Sequence, residues 1–496
     1  MAVTATPRRL ADLPGPRGWP LIGNALQLRP AKLHQQFEAL CRDFGPLVRM
    51  KLGRFPALLV GDHELLAAVL RDRPERFDRP AQTGRVVREM GLPTGVFSAN
   101  GAVWARQRRM VMAGFDPSHV RAYFPALLGV TGRLQARWQR AARAGSEIDL
   151  QSDLMRYTVD AIAGLAFGAE VRTLEAEEDV IQRHLDLILP AVFKRALSPL
   201  PYWRWFKLPA DRRLDRAVAE VKTEIASFIA QARARLDAEP ARRAAPPNLL
   251  EAMIVAADRH ADDDAVSSGR KSDSPVSDGD VAGNVITMLL AGEDTTANTL
   301  AWMIDLLWRH PQTLKRARDE VLRLTPGLGD FSPERLGELD YLEACILETM
   351  RLKPVAPLLA AQARRETRVG DVLVPAGTVV WGVMRHASLN EQHFPEAATF
   401  KPERWLAANA TTAATTAATA ATAPTSSKRV AMPFGAGPRI CPGRYLAMLE
   451  MKMALAMLLG HFEIDAVSSP GGSEPAERLS FTLEPVGLTM RLRERN

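Results

Sequence analysis

The sequence predicts a mainly α protein with a small β region. Long stretches with helical spacing of apolar residues fill most of the chain, strand-like runs are short and few, and no internal repeat is present. With 47% hydrophobic and 24% charged residues among 496, the composition is that of a globular protein with a large core.

Taken in order, Pro14–Asn24 (PGPRGWPLIGN) holds too much proline and glycine for a helix and reads as a stiff lead-in within residues 1–24. PLVRMKLG and ALLVGD, separated by Gly-Arg-Phe-Pro, read as a small hairpin. Helical patterns follow in HELLAAVLRD, around WARQRRMVMAGF, in SDLMRYTVDAIAGLAFG, in RRLDRAVAEVKTEIASFIAQARARL, in LEACILETMRLKP and in RYLAMLEMKMALAMLLGHF. The longest begins at Ser277, where Ser277 and Asp280 form a capping box ahead of VAGNVITMLLAGEDTTANTLAWMIDLLWRH. RVGDVLVPAGTVVWGVM alternates as a β-hairpin with Pro375-Ala376-Gly377 at its bend. Residues 261–280, polar and Gly/Ser-rich, and 410–427, an Ala/Thr run, are expected to be flexible surface insertions in one domain spanning residues 1–496.

Cys41, Cys345 and Cys441 lie too far apart in sequence for a dense disulfide framework or a four-thiolate metal site, so a reducing compartment is expected. No run reaches the roughly 18 to 20 apolar residues of a membrane span, and MAVTATPRRLADL lacks a signal-peptide pattern, which predicts a cytoplasmic monomer with no membrane span. The net charge of +7 comes without a basic block interleaved with aromatics, so nucleic acid is excluded and an acidic protein partner is expected.

Four motifs carry chemistry. In FGAGPRICPG, Phe434–Gly443, Cys441 stands at the start of a helix as its N-cap, with Pro442 first in the helix, so the Gly443 and Arg444 N–H groups favour a thiolate that can ligate a metal. Gly435 and Gly437 let a flat ligand approach, Arg439 can reach an acidic group at its edge and Phe434 can keep water from the sulfur. A small buried cysteine or a nucleophile are the alternatives, and no histidine neighbours it in sequence to act as base. AGEDTT, Ala291–Thr296, sets small residues, acids and hydroxyls in the middle of an apolar helix, where Thr295 can bond the Ala291 carbonyl; the choice is between a kink with a solvated acidic face and an Asp294/Thr295 proton relay. Glu348 and Arg351 share one helix face, and Arg404 of FKPERW can close a buried network on Glu348; a surface ion pair is the plain alternative. Trp104 and Arg108, four apart in GAVWARQRR, make either a basic amphipathic surface or a site for a buried carboxylate.

AGEDTT, Glu-x-x-Arg, PERW and F-x-x-G-x-R-x-C-x-G, in this order, resemble the cytochrome P450 family from the proline-rich lead-in to FTLEPVGL. The resemblance implies the triangular haem-thiolate fold and a monooxygenase of the soluble bacterial type, whose thiolate ligand favours O–O cleavage. By position, Cys441 matches the axial iron ligand of haem b, and Trp104, Arg108 and Arg439 match the partners of the haem propionates, with Phe434 and Gly443 completing the loop. Glu348, Arg351 and Arg404 match a structural network. Asp294 and Thr295 match the pair that delivers protons during dioxygen activation, and Ala291 and Gly292 make room for the oxygen. A basic propionate partner common after the Glu-x-x-Arg helix is replaced by Leu359.

The implied substrate is an apolar small molecule such as a fatty acid, terpenoid, steroid or polyketide, hydroxylated or epoxidised in a pocket bordered by Arg79–Asn100, Leu289, Leu290, Val355, Leu358, Leu359, Phe481 and Thr482. With no flavin or nicotinamide domain after residue 496, electrons are expected from NAD(P)H through a reductase and a ferredoxin or flavodoxin docking near Arg106, Arg109 and Arg444. A haem-thiolate enzyme that uses or rearranges peroxide and a non-catalytic haem sensor are the alternatives.

Overall fold

The computed structural model describes residues 7–495 apart from 54, 116, 169–171, 176–179, 199, 269–277, 407–426 and 473. Five helices position the site: α1 (Gly101–Gly114), α2 (Leu150–Phe167), α3 (Asp278–Arg309), α4 (Asp340–Leu352) and α5 (Arg444–His461). α3, at 32 residues, is about 48 Å long at ~1.5 Å per residue. From Thr296 to Leu307 every residue of it is buried, because that half is mostly apolar or small and its polar Asn298 and Asp305 are bonded by Thr482 and Arg309. α2, α4 and α5 supply much of that cover. Met303 and Ile304 of α3, Ile346 of α4 and Leu455 and Leu458 of α5 join Trp138 in the largest apolar cluster. The first half of α3 packs instead through Val285, Ile286 and Leu289 into a second cluster with Met110, Ile225 and Met253.

The β region holds a five-stranded sheet of β1 (Leu47–Leu52), β2 (Phe55–Val60), β3 (Phe77–Asp78), β4 (Leu358–Ala363) and β5 (Val379–Val383), ordered β1-β2-β5-β4-β3. β1 and β2 pair as a hairpin from Leu47 opposite Val60 to Leu52 opposite Phe55.

The second expected hairpin is different. Thr367–Val369 turns back on Val372–Val374 at Gly370, whose φ is +60°, and that pair forms a sheet with Arg8–Arg9. Pro375-Ala376-Gly377 is therefore the crossover between two sheets, after which β5 runs parallel to β2 and antiparallel to β4. Alternation along the sequence gave the right strands and the wrong partner, since the pairing of β5 with β2 is set by contacts more than 300 residues apart.

The expected insertion at 261–280 is also reassigned in part. Residues 261–268 continue the helix Leu249–Ser268, and 278–280 form the first turn of α3. Residues 269–277, including Ser277 of the expected capping box, lie outside the described residues, as do 410–426 of the Ala/Thr run; Ser427 opens the short helix Ser427–Ala431.

Candidate haem-thiolate site

The loop before α5 is built by backbone geometry. Gly435 (φ +75°) and Gly437 (φ +72°) take left-handed conformations that side chains disfavour, and a Cβ on Gly437 would stand 2.2 Å from the Leu70 carbonyl oxygen. The loop therefore lies directly on the end of helix His63–Arg71. The Cys441 N–H donates to the Phe434 carbonyl at 3.0 Å, which closes it.

α5 starts later than expected. Its N-cap is Gly443, whose carbonyl accepts the first intrahelical bond from Ala447 at 2.9 Å, so Pro442 lies in the turn and Cys441 two residues outside the cap. The electrostatic consequence is kept, because the Gly443 N–H bonds the sulfur and the Arg108 and Arg444 guanidinia add positive charge. Burial nevertheless dominates and holds the Cys441 thiol above its ordinary pKa; a cation bound at the sulfur would favour the thiolate.

Trp104 and Arg108 come from α1, one turn apart. Arg108 donates through Nη2 to the Ile440 carbonyl at 2.7 Å, tying α1 to the cysteine loop. Arg439 lies with its Cζ 4.6 Å from the centre of the Trp104 ring, and its Nη2 donates to the Ala99 carbonyl at 2.8 Å and to Asn100 Oδ1 at 2.9 Å. Arg439 Nε and Nη1 are buried with no partner in the protein. A guanidinium left with two unmatched N–H groups in the interior fits a ligand that brings an anion, such as the carboxylate edge of haem.

Across from the loop, α3 stays continuous through AGEDTT. Thr295 Oγ1 donates to the Ala291 carbonyl at 2.7 Å, and Thr299 Oγ1 to the Thr295 carbonyl at 2.8 Å. Ala291 is exposed although Leu290 and Glu293 beside it are buried, so this turn of α3 is left uncovered by the protein. Asp294 and Thr295 are half-buried there. Two expected residues face elsewhere. Leu289, two positions and hence about 200° round the helix from Ala291, lines a small apolar gap with Val159, Ala163, Phe167 and Phe228. Gly292 faces α2, where a Cβ would come 3.3 Å from Ile162 Cγ1, so its smallness serves helix packing.

Phe481 meets Phe97 at 5.7 Å between ring centres. Thr482 Oγ1 is buried and accepts from Asn298 at 3.3 Å, and the Leu483 N–H bonds the Val355 carbonyl at 2.9 Å, which brings the 481–483 turn beside Val355. Leu290 and Val355 are buried, whereas Leu358 and Leu359 of β4 are partly exposed.

Glu348 and Arg351 on α4 are both fully buried, Arg351 Nε and Nη2 reaching the carboxylate at 2.8 Å each. Arg404 Nε at 3.0 Å, Trp405 Nε1 at 2.8 Å and the Lys401 N–H at 2.9 Å complete it. One carboxylate thus accepts from α4 and from the PERW turn, while Arg351 also holds the carbonyls of Ser388 and Ala397 at 2.6 and 2.7 Å. So many partners offset the large cost of burying the pair.

Sequence reasoning missed Glu450. It lies on α5, is fully buried, bonds Thr296 and is pushed up to about 8 by burial, so it is largely neutral at pH 7. It also missed Asn284 on α3, whose Oδ1 accepts from the Val96 N–H at 2.7 Å and pins the 94–97 segment to α3; Gly95 and Gly283 pack there too closely for either to carry a Cβ. A lone acid or amide in a helical pattern gives no sign of which face it is on.

Comparison with known proteins agrees with this geometry. The Cytochrome P450 family model matches residues 13–490. The chain belongs to the cytochrome P450 family. Cyclooctat-9-en-7-ol 5-monooxygenase of Streptomyces melanosporofaciens is 29% identical over 452 residues, covering 91% of this chain and 89% of that one. A self-sufficient cytochrome P450 monooxygenase of Aspergillus niger is 27% identical over 97% of this P450, which spans only 43% of that longer protein. Human mitochondrial 25-hydroxyvitamin D-1 alpha hydroxylase is 27% identical over 96% of the chain and 91% of its own. The heme domain of cytochrome P450DA superposes with a TM-score of 0.79 at 24% identity over 99% of both chains, which places this P450 in the same fold. Among the described residues no helix is long and apolar enough to cross a membrane.

Proposed function

We propose that this P450 is a haem-thiolate monooxygenase that adds one atom of dioxygen to an apolar small molecule, with electrons from separate proteins. The observation that carries the reading is the Cys441 sulfur, half-buried in a loop with two left-handed glycines, bonded by the Gly443 N–H and flanked by Arg108 and Arg444. Haem b, when bound, supplies the redox chemistry, reducing dioxygen so that one oxygen atom enters the substrate and the other leaves as water.

Cys441 is the residue to ligate the iron. The Gly443 N–H and the two guanidinia stabilise negative charge on its sulfur, and Phe434, packed against the main apolar cluster, walls the loop from water. Arg439 and Trp104 hold a carboxylate at the cofactor edge through the two unpartnered guanidinium N–H groups. Thr295 gives its own hydroxyl hydrogen to the Ala291 carbonyl, so its Oγ1 lone pairs stay available to accept a hydrogen bond on the open side of α3. Asp294 next to it is the group that takes up a proton from solvent and hands it inward. Leu290, Val355, Leu358, Leu359 and Phe481 give an aliphatic and aromatic wall suited to terpenoid, fatty acid, steroid or polyketide substrates. A terpenoid has the support that the Streptomyces relative is named for cyclooctat-9-en-7-ol.

The electron donor is proposed to dock over the cysteine loop and α1. Arg109 is exposed, Arg444 lies 4.4 Å from the ring of exposed Tyr445, and Val103 and Met112 add exposed apolar atoms; Arg106 is partly committed to Asp280 at 3.3 Å. Arg109→Glu with Arg444→Glu should slow reduction by an acidic ferredoxin and flatten its dependence on salt; an unchanged rate at low salt puts the docking face elsewhere. The reading as a whole is tested by the absorption spectrum of the dithionite-reduced protein under carbon monoxide. A strongly red-shifted Soret band supports Cys441 ligation, and a band at the position of a neutral ligand in folded protein overturns it.

A further inference from the structure

His63 is a buried titratable group for which the site as described has no use. It is the first residue of helix His63–Arg71, and only 4% of it is exposed. Neither of its ring nitrogens has a partner in the protein. The imidazole meets that of His393 edge to face, with 4.6 Å between ring centres. Helix Ser427–Ala431 packs on helix His63–Arg71, and its Arg429 Nη2 reaches Glu64 Oε1 at 3.6 Å.

This seat suits a neutral imidazole and penalises a charged one. An imidazolium would bring two N–H donors to a place without acceptors and would stand at the positive end of a helix. His393 and Arg429 oppose a proton on His63, whereas Asp62 and Glu64 favour one. Both acids are already engaged: Asp62 Oδ1 accepts the Leu65 N–H at 2.8 Å as the helix cap, and Glu64 has Arg429. The other elements packed on the helix bring no charge to His63. β2 has no titratable side chain, the turn at Gly370 meets the helix at Leu65, and the cysteine loop meets it at Leu70. Arg368 beside that turn borders a surface cleft with Arg76, and Arg439 of the loop faces Trp104. Burial outweighs the two acids and holds His63 below its ordinary pKa.

The far end of the same helix carries the cysteine loop. The Leu70 carbonyl lies so close under Gly437 that no Cβ fits between them. Nine residues of helix are about 13 Å long and short enough to move as one rod. A displacement forced at His63 is therefore delivered at Gly437, in the loop that holds Cys441. We propose that His63 is an acid-sensitive latch: as the neutral imidazole it seats helix His63–Arg71 against His393, and its protonation unseats the helix and frees the cysteine loop with it. The consequence for Cys441 rests on the haem-thiolate reading above; the latch itself does not.

The experiment compares wild-type holoprotein with His63→Phe, which keeps an aromatic ring against His393 and cannot take a proton, from about pH 7.5 to about pH 5.5. Hydrogen exchange, corrected for its intrinsic pH dependence, reads peptides 63–71 and 434–443. His63 titrates near its ordinary 6.5 in the open form and below it in the closed one, so closure is weakened as pH falls through 6.5. Wild-type protection in both peptides should fall about ten-fold across the range. His63→Phe should hold it nearly constant. The thiolate carbon monoxide band should follow, lost in acid by the wild type and kept by the variant. Equal acid loss in the two proteins overturns the latch. Loss confined to peptide 63–71 overturns its hold on the cysteine loop. Arg429→Gln, at an exposed side chain, serves if His63→Phe does not fold. It removes a repelling charge and releases Glu64, so the fall should begin about 0.3 lower in pH, and an unmoved fall overturns the proposal. If the wild type shows no thiolate band even at pH 7.5, the haem reading fails, and exchange in the haem-free chain still decides the latch.

Discussion

Replacing Glu450 by Gln should make the protein more stable at neutral pH and hardly change it in acid. Glu450 is raised from 4.5 to about 8 by burial, against a lowering by its hydrogen bond with Thr296. A folded-state value above the unfolded one means that the native protein holds the proton more tightly, so the stability tied to it is complete below about pH 4.5 and is lost as pH rises toward 8. At ~1.4 kcal/mol per unit, and allowing for partial titration at the ends, the loss between pH 5 and pH 7 is about 2.5 kcal/mol. Glutamine keeps the shape and a hydrogen bond to Thr296 without the charge, so that loss is absent in the variant. For a chain of this length it corresponds to about 2–3 °C in Tm. Melting curves of wild type and Glu450→Gln by far-UV circular dichroism at matched pH values provide the check, since every other titrating group cancels in the difference. Two Tm profiles that run parallel from pH 5 to pH 8 would refute the reasoning and mean that Glu450 is ionised and solvated in the native state.

Three other outcomes are expected. Glu348→Ala leaves Arg351 and Arg404 without their shared carboxylate and should cost about 3–5 kcal/mol, read as loss of soluble holoprotein or a much lower denaturation midpoint. Gly437→Ala meets both a φ of +72° and the Leu70 carbonyl, so haem content on purification should fall sharply, whereas Gly329→Ala, with open space around it, should leave content unchanged. Thr295→Ala should leave electron consumption largely intact while product per electron falls and hydrogen peroxide rises; full coupling in that variant would show that the proton route lies elsewhere.

Much of the site could be read along the chain because its parts are local. Cys441, Gly443 and Phe434 act within ten residues, Thr295 bonds a carbonyl four residues back, and Glu348 and Arg351 are one helical turn apart. What was misread depended on neighbours distant in sequence. Pro375-Ala376-Gly377 has turn residues, yet whether it closes a hairpin or crosses to another sheet depends on β2 being free to pair with β5. Leu289 and Gly292 had the right composition for a pocket, but the phase of α3 is fixed by α2 and by helix Pro209–Ala238 packing against it. Pro442 looked like a first helical residue, and only the bond from Ala447 to Gly443 shows that the helix begins after it.

The hydrogen bonds that join α1 and the residues just before it to the cysteine loop span 332 residues from Arg108 to Ile440 and 340 from Arg439 to Ala99. A chain emerging from the ribosome therefore displays its arginines long before the loop that turns them into a pocket has been translated. Until then those cations are solvated and cost nothing; afterwards they are enclosed and repel. The seam between α1 and the cysteine loop therefore closes only once both ends of the chain are present, and its closure carries the entropic cost of joining segments more than 300 residues apart.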